Sequence, residues 1–190
     1  MYGVTGSGKS TLAQEIGAIT GLTYHALDDL TWGPDWVPVQ LEEQRGRVES
    51  ICKQPAWVID AAYGSWLDLV LPRVELVVAL DYPRWFSLQR LVHRCLARSI
   101  DKRPICNGNH ETLRTAFLHR DSILWWHFTS FSRKRARIAA WAADPDAPRV
   151  LRFRRARECD AWAADLRTVA TEPQRGVQPE QYEEGTCPRF

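Results

Sequence analysis

No stretch of the sequence comes near the ~18 uninterrupted apolar residues that a membrane-spanning helix needs, and no apolar leader run follows Met1. A membrane partner is therefore not expected. A disulfide framework is lacking too: the five cysteines, Cys52, Cys95, Cys106, Cys159 and Cys187, are odd in number, scattered, and nowhere spaced C-x-x-C. That usage fits a reducing compartment, so the expected location is the cytoplasm. Strong charge of either sign is missing, since 25 Lys and Arg against 23 Asp and Glu leave +2 at neutral pH. A surface-wide pull on nucleic acid is thereby excluded, and any basic binding site has to be local. The five histidines show no zinc-ligand spacing, no G-x-S-x-G nucleophile elbow occurs, and no internal repeat is visible. What remains is 190 residues, 45% of them hydrophobic, enough for one globular domain with a real core. It is expected as a monomer or homodimer.

Against these absences stands Gly3-Val4-Thr5-Gly6-Ser7-Gly8-Lys9-Ser10, a complete match to the phosphate-binding loop pattern G-x-x-x-x-G-K-[ST], followed at once by Thr11. Glycines let the backbone fold into a nest of N–H groups aimed at phosphate oxygens. Lys9 supplies a point charge for the outer phosphates and Ser10 a hydroxyl for Mg²⁺. A helix predicted from Lys9 to Ile19 adds its unpaired N-terminal amides and dipole, which favour the same anion. The implied cofactors are ATP and Mg. The nucleotide-binding set is Gly3, Thr5, Gly6, Ser7, Gly8, Lys9, Ser10 and Thr11.

The rest alternates strand and helix, which predicts a three-layer α/β fold with a parallel sheet. Leu22 to Leu27 reads as a strand ending in Asp28 and Asp29, and Ala56 to Asp60 as another ending in a carboxylate. Val74 to Asp81 is the clearest buried strand, because Leu76-Val77-Val78-Ala79-Leu80 is apolar without alternation, as a sheet covered on both faces requires. Leu30 to Pro38, rich in Pro, Gly and Trp, reads as an irregular substrate-facing loop carrying Trp32 and Trp36. A helix from Leu41 to Lys53 and one from Pro83 onward, with Leu88, Leu91, Val92, Cys95 and Leu96 buried, follow from apolar spacing. Asp101 to His110 is a polar break suited to a mobile lid over about residues 99–120. Glu111 to about Ala143 reads as helical, Val150 to Phe153 as the last strand, and Ala161, Trp162, Leu166 and Val169 as the stripe of a final helix. The domain is taken as residues 1–170 and the tail as disordered over residues 171–190, where apolar residues are few.

The phosphate loop, Leu27-Asp28-Asp29-Leu30-Thr31-Trp32 with the following Trp36, Trp57-Val58-Ile59-Asp60-Ala61-Ala62-Tyr63 and Leu80-Asp81-Tyr82-Pro83-Arg84-Trp85 together resemble the bacterial DNA topology modulation proteins, which are adenylate-kinase-like P-loop proteins. The resemblance covers about residues 3–165 and departs at Ala61-Ala62, where relatives carry Gly-Asn. It implies one sheet of five parallel strands, a nucleotide-monophosphate-type substrate region after the second strand and a lid after the fourth.

Phosphoryl transfer to a small-molecule acceptor then assigns the roles. Lys9 is a catalytic cation. Asp28, which matches the strand-end Asp of the resembled family, either orients the substrate hydroxyl as a base or holds a Mg²⁺ water, and Asp60 and Trp32 border the same substrate. Ser10 and Asp81 are the metal candidates. Arg98, Arg103, Arg114 and Arg120 are lid-region candidates for clamping phosphate, Arg103 catalytic among them, because a guanidinium binds bidentately where Lys does not. The resemblance also implies that Arg154, just past the last strand, borders the adenine, as that loop does in the resembled family. A rival reading makes the chain a nucleotide-dependent regulator that binds DNA through Arg133 to Arg137 and Arg149 to Arg157. One mismatch stands out: only Met1 and Tyr2 precede Gly3, where a strand of ~5 to 6 residues is usual, so the first strand is expected to be truncated and its loop poorly anchored.

Overall fold

The computed structural model describes residues 1–60, 64–101, 106–109 and 122–171. Among the described residues, five short strands, β1 (Tyr2–Gly3), β2 (Tyr24–His25), β3 (Val58–Ile59), β4 (Leu76–Leu80) and β5 (Arg149–Phe153), are interspersed with seven α-helices. These are α1 (Lys9–Thr20), α2 (Leu27–Thr31), α3 (Leu41–Cys52), α4 (Leu67–Val70), α5 (Arg84–Asp101), α6 (Ile123–Ala143) and α7 (Ala156–Thr171). Every strand pair is parallel. The expected single sheet of five is divided among the described residues into two ladders, β1-β4-β5 and β2-β3. They meet at Met1, whose α-ammonium donates to the Ile59 carbonyl at 2.6 Å.

The apolar run in β4 explains the layering. Val78 and Leu80 pack with Leu12, Ala13 and Ile16 of α1 and Cys159 and Ala163 of α7, while Val77 and Ala79 face Tyr2 and Ile138 of α6. One strand thus feeds a core on each face, as its lack of alternation predicts. A third cluster, centred on fully buried Trp66 and Leu27, joins α2, α3, α4 and β3. Gly21 ends α1 in a left-handed conformation (φ 74°) and returns its N–H to Gly17 O, the stop its position implies.

Two boundaries differ from the expected ones. The second strand covers Tyr24–His25 alone, and Asp28 and Asp29 lie in the first turn of α2 instead of at a strand end. A carboxylate from the neighbouring strand accounts for this, since Asp60 accepts the Leu27 N–H at 3.2 Å and so starts the helix; acidic residues in a first turn are also favoured by its dipole. The long helix begins at Ile123 behind Ser122, whose hydroxyl caps Trp125 N–H at 3.3 Å. Residues 110–121 and 172–190, with the centre of the expected lid and nearly all of the expected tail, lie outside the described residues. Among the described residues, no helix is long and apolar enough to cross a membrane.

Candidate functional site

The chain leaves β1 at Gly3, turns, and enters α1 at Lys9. Ser7 closes the turn twice on Val4 O, by N–H at 3.3 Å and by hydroxyl at 2.8 Å, and Lys9 Nζ donates to the same carbonyl at 2.9 Å. Gly8 is the N-cap residue of α1 at φ 95° and provides no side-chain cap, and the first turn holds no acidic residue. The positive end of the helix therefore meets neither a capping side chain nor a carboxylate of its own. Gly6 (φ 81°) sits against α5 so closely that a Cβ there would lie 2.4 Å from Ser87 O. The turn can approach α5 this closely only because Gly6 carries no side chain.

Cations gather around the turn from three elements. Lys134 of α6 reaches in to donate to Gly3 O at 3.3 Å. Arg90 of α5 covers Gly8, its Nη2 3.0 Å from where a Cβ would stand, with its guanidinium over Phe86 at 5.6 Å. Arg94, one turn further along α5, acts on Lys9 as a like charge. Burial, then the like charge of Arg94, against the pull of Asp28 and Asp60, leaves Lys9 lowered to about 8. Burial, followed by the charge of Lys9, brings Lys134 down to about 7, although Asp28 pulls the other way. Both ammonium groups are short of the negative charge that would hold them protonated.

The linkage has a definite sign. Lys9 and Lys134 release protons in the folded state near pH 8 and 7, whereas an unfolded lysine holds its proton to about 10.5. Over that window the unfolded state binds more protons, so the two lysines make stability rise with pH. The Met1 amine, lowered by burial to about 5 despite Asp60, acts the same way between about 5 and 8. Melting of the ligand-free chain is expected to shift upward from pH 6 to pH 9, and a Lys9→Met, Lys134→Met double variant should flatten the upper half of that rise. An unchanged slope in the variant would place the effect elsewhere.

Acidic groups stand opposite. Asp60, 3% exposed, takes the Tyr24 hydroxyl on one oxygen at 2.9 Å and Leu27 N–H on the other, so it ties β2 and α2 to β3. Asp28 follows in α2 and raises both lysines. Asp29 is pushed up by partial loss of solvent, then by Asp28 and Asp60, against a hydrogen bond from Cys106. Burial, then the carboxylates of Asp28 and Asp29, raise the Cys106 thiol to about 11, with Arg98 opposing them.

The aromatic loop after α2 is more ordered than its composition implies. Trp32 bridges Pro38 in antiparallel fashion and meets Trp36 edge to face at 6.0 Å. The segment 106–109 fastens onto it: Asn107 Nδ2 donates to Asp29 O and Trp32 O at 2.8 and 2.6 Å, and Asn109 bonds Gly33 O and Trp36 N–H at 2.8 Å each. Part of the connection after α5 thereby closes on the loop that carries Trp32.

Of the residues singled out in the sequence, the fold brings Gly3, Thr5, Gly6, Ser7, Gly8, Lys9, Ser10, Thr11, Asp28 and Asp60 into this region. Asp81 stands apart from it in its partners. Its side chain, 3% exposed, is held by Arg152 at 2.5 Å and Arg135 at 3.4 Å, so its oxygens face two guanidinium groups. Arg154 is exposed at the end of β5, and its N–H, with that of Arg155, donates to Glu158 at the start of α7. Arg103, Arg114 and Arg120 lie outside the described residues. Lys134, Arg90 and Arg94 were not singled out. Arg90, Arg94 and Arg98 repeat every four residues and so share a helix face, a signal present in the sequence; Lys134 sits in a basic run that reads as a solvated patch.

No family model matches the chain, and no curated protein matches it. Among solved structures, the unliganded crystal structure of a sugar kinase from Janibacter sp. HTCC2649 is similar at 18% identity and a TM-score of 0.45, over 89% of this chain and 88% of that one. A likeness that distant assigns nothing to the chain, and the chemistry has to be argued from the site itself.

Proposed function

We propose that the turn after β1 and the N-terminus of α1 bind the phosphates of ATP, and that the chain transfers the γ-phosphoryl group to a small acceptor held near Asp28 and Trp32. The observation that carries this reading is the pairing of an uncapped helix N-terminus with two partly buried lysines, both pushed well below the ordinary lysine range. A polyphosphate would meet the amides, the dipole and both cations together. The glycines support the fit, because a side chain at Gly6 would push the turn off α5 and one at Gly8 would meet the Arg90 guanidinium, so either would shift the turn. Lys9 and Lys134 neutralise charge on the transferred group. Asp28 accepts the proton of the acceptor hydroxyl, and Asp60 fixes the turn that presents Asp28. Mg²⁺ would supply positive charge that offsets the charge of the phosphates. Ser10 would hold it, with Asp28 a carboxylate candidate, whereas Asp81 is already engaged by arginines. The described residues contain no group of three metal ligands, and Mg²⁺ on a nucleotide needs only one or two from the protein. The similarity of several sequence segments to the topology modulation proteins is consistent with this reading.

The DNA-binding alternative loses most of its basic patch to internal contacts. Lys134 turns inward to Gly3, Arg135 and Arg152 pair with Asp81, Arg137 bonds the Tyr2 hydroxyl at 3.4 Å, and Arg133 lies over Trp126 at 5.6 Å. Calorimetry with Mg·ATP, followed by a screen of nucleosides, nucleotides and small sugars for ATP consumption, tests the proposal directly. Asp28→Asn should keep ATP affinity within a few fold and lower turnover by ~10² to 10⁴. Affinity for ATP should fall between pH 8 and 9, by about five- to tenfold for each lysine that must regain its proton on binding. No ATP binding, together with salt-sensitive binding to duplex DNA, would favour the alternative.

A further inference from the structure

His127 of α6 is fully buried, and phosphoryl transfer as derived above gives it no part. Its Nε2 lies 2.9 Å from the hydroxyl oxygen of Ser87 in α5, which is fully buried as well. That hydroxyl has a single proton and gives it to Arg84 O at 3.1 Å. The ring therefore has to be the donor, so His127 is neutral and carries its proton on Nε2. Nδ1 keeps a bare lone pair, buried without a hydrogen-bond partner, and the buried hydroxyl of Ser130, three residues along the same helix, has none either.

A second proton is poorly accommodated here. It would sit on Nδ1, where no partner waits, and would turn the ring into a buried cation. Among the described residues the charged groups that act on the ring are Arg84 from α5 and Lys134 from α6 itself, both cations. The remaining neighbours are aromatic: Phe131 and Phe128 lie 5.8 and 5.9 Å from His127, and Arg84 stacks over Phe131 at 4.6 Å. Burial first, then the two cations, lower the pKa of His127 below the ordinary 6.5. The unfolded chain takes up this proton at higher pH than the folded one, so protonation costs stability as pH falls through that range. Ser87 carries the effect onward. Its carbonyl oxygen lies against Gly6, only 2.4 Å from where a Cβ would stand, with Leu91 Cβ next at 2.9 Å. One residue of α5 thus meets α6 through its side chain and the turn after β1 through its backbone.

We propose that His127 is a positioning residue for the turn after β1: neutral, it holds Ser87, and with it α5, against Gly6, and taking up a second proton loosens that hold. The α5–α6 contact then opens and the turn loses the helix it rests against. Binding of ATP acquires an acid limb set by His127, apart from the alkaline limb set by Lys9 and Lys134. That last consequence rests on the reading that the turn binds the phosphates of ATP, whereas the coupling of His127 to Gly6 is measured without nucleotide.

The test is an NMR titration of the ligand-free chain from pH 8 to pH 5 that follows the imidazole nitrogens of His127 and the amide of Gly6. At pH 8 the proton is expected on Nε2 with Nδ1 bare, and the Gly6 amide should shift with a step at the His127 midpoint, below 6.5. His127→Gln keeps an N–H donor for Ser87 and cannot take up the proton. In that variant the step should vanish while the one near 7 that belongs to Lys134 remains, and Mg·ATP affinity at pH 8 should match the parent's. His127→Leu lacks the donor and should lower that affinity about tenfold, a loss the Gln variant does not show. A Gly6 amide with no step at the His127 midpoint overturns the proposal from the parent alone, even where a variant fails to fold. The same step persisting in His127→Gln, or parent-like ATP affinity in His127→Leu, overturns it too. If the parent binds no Mg·ATP while Gly6 still follows His127, the nucleotide reading fails and the coupling stands.

Discussion

Lys9→Ala is expected to abolish turnover of ATP and to weaken its binding by at least about a hundredfold, while the chain keeps its fold. The magnitude follows from removing one preorganised cation or donor from a site where charge develops, which costs on the order of 10² to 10³ in rate. The direction of the folding effect comes from the lysine itself. Its ammonium is held in a partly buried place where Asp28 and Asp60 offset desolvation only in part, so the charge is a burden on the ligand-free chain. Its contact with Val4 O spans only five residues and closes the turn without joining separate elements. Melting should stay level or rise slightly. A second readout ties the substitution to the site: without Lys9 beside it, Lys134 loses its foremost like-charge neighbour, so its pKa should move up from about 7. Titration of the lysine side chains by NMR in parent and variant checks this. Unaltered ATP affinity would remove Lys9 from the phosphate site, and an unmoved Lys134 would separate the two lysines.

The turn after β1 and the start of α1 were legible through local chemistry, since glycine and lysine spacing over eight residues depends on nothing far away. The buried β4 strand was equally legible, because five apolar residues without alternation have few other fates in a chain of this composition. Partners across the fold were not legible. Asp81 ends its strand like a metal ligand, yet Arg135 and Arg152, 54 and 71 positions away, occupy its oxygens. Lys134 lies among three arginines and reads as solvated surface, and only the packing of α6 on β1 through Ile138 and Tyr2 turns it toward Gly3. The start of α2 was misread for the same reason. Periodicity cannot see that Asp60 supplies the bond that converts the expected strand end into a helix start. Long-range pairing thus converts two similar strand-end carboxylates into different parts: Asp81 an arginine partner, and Asp60 the brace of the turn that presents Asp28.

Gly6→Ala is expected to be the most damaging small substitution in the turn, and the reason lies in α5. At φ 81° an alanine carries left-handed strain, roughly 1 to 2 kcal/mol. The new methyl would also lie 2.4 Å from Ser87 O and 2.9 Å from Leu91 Cβ, so either the turn or the helix has to give way. The helix is poorly placed to do so. Ser87 is fully buried with its hydroxyl 2.9 Å from His127 Nε2 of α6, and Leu91 is fully buried in a cluster with Cys95, Ile123 and Leu124. Backing α5 away opens that interface, at a cost typical of overpacking, about 1 to 3 kcal/mol. Lifting the turn instead moves the amides off their aim. Strain and crowding together predict a loss of about 2 to 5 kcal/mol, or a smaller loss with ATP binding gone. Gly8→Ala supplies the contrast. It bears similar strain at φ 95°, but its nearest neighbour is the mobile end of Arg90 at 3.0 Å, so roughly 1 to 2 kcal/mol is expected. Gly46→Ala, in mid-α3 with nothing within 4 Å, should stabilise by roughly 0.5 to 1 kcal/mol. Chemical denaturation of the three variants should rank them Gly46→Ala above the parent, Gly8→Ala below it and Gly6→Ala lowest. If Gly6→Ala matches Gly8→Ala in both stability and ATP affinity, the close approach of the turn to α5 plays no part in holding the site.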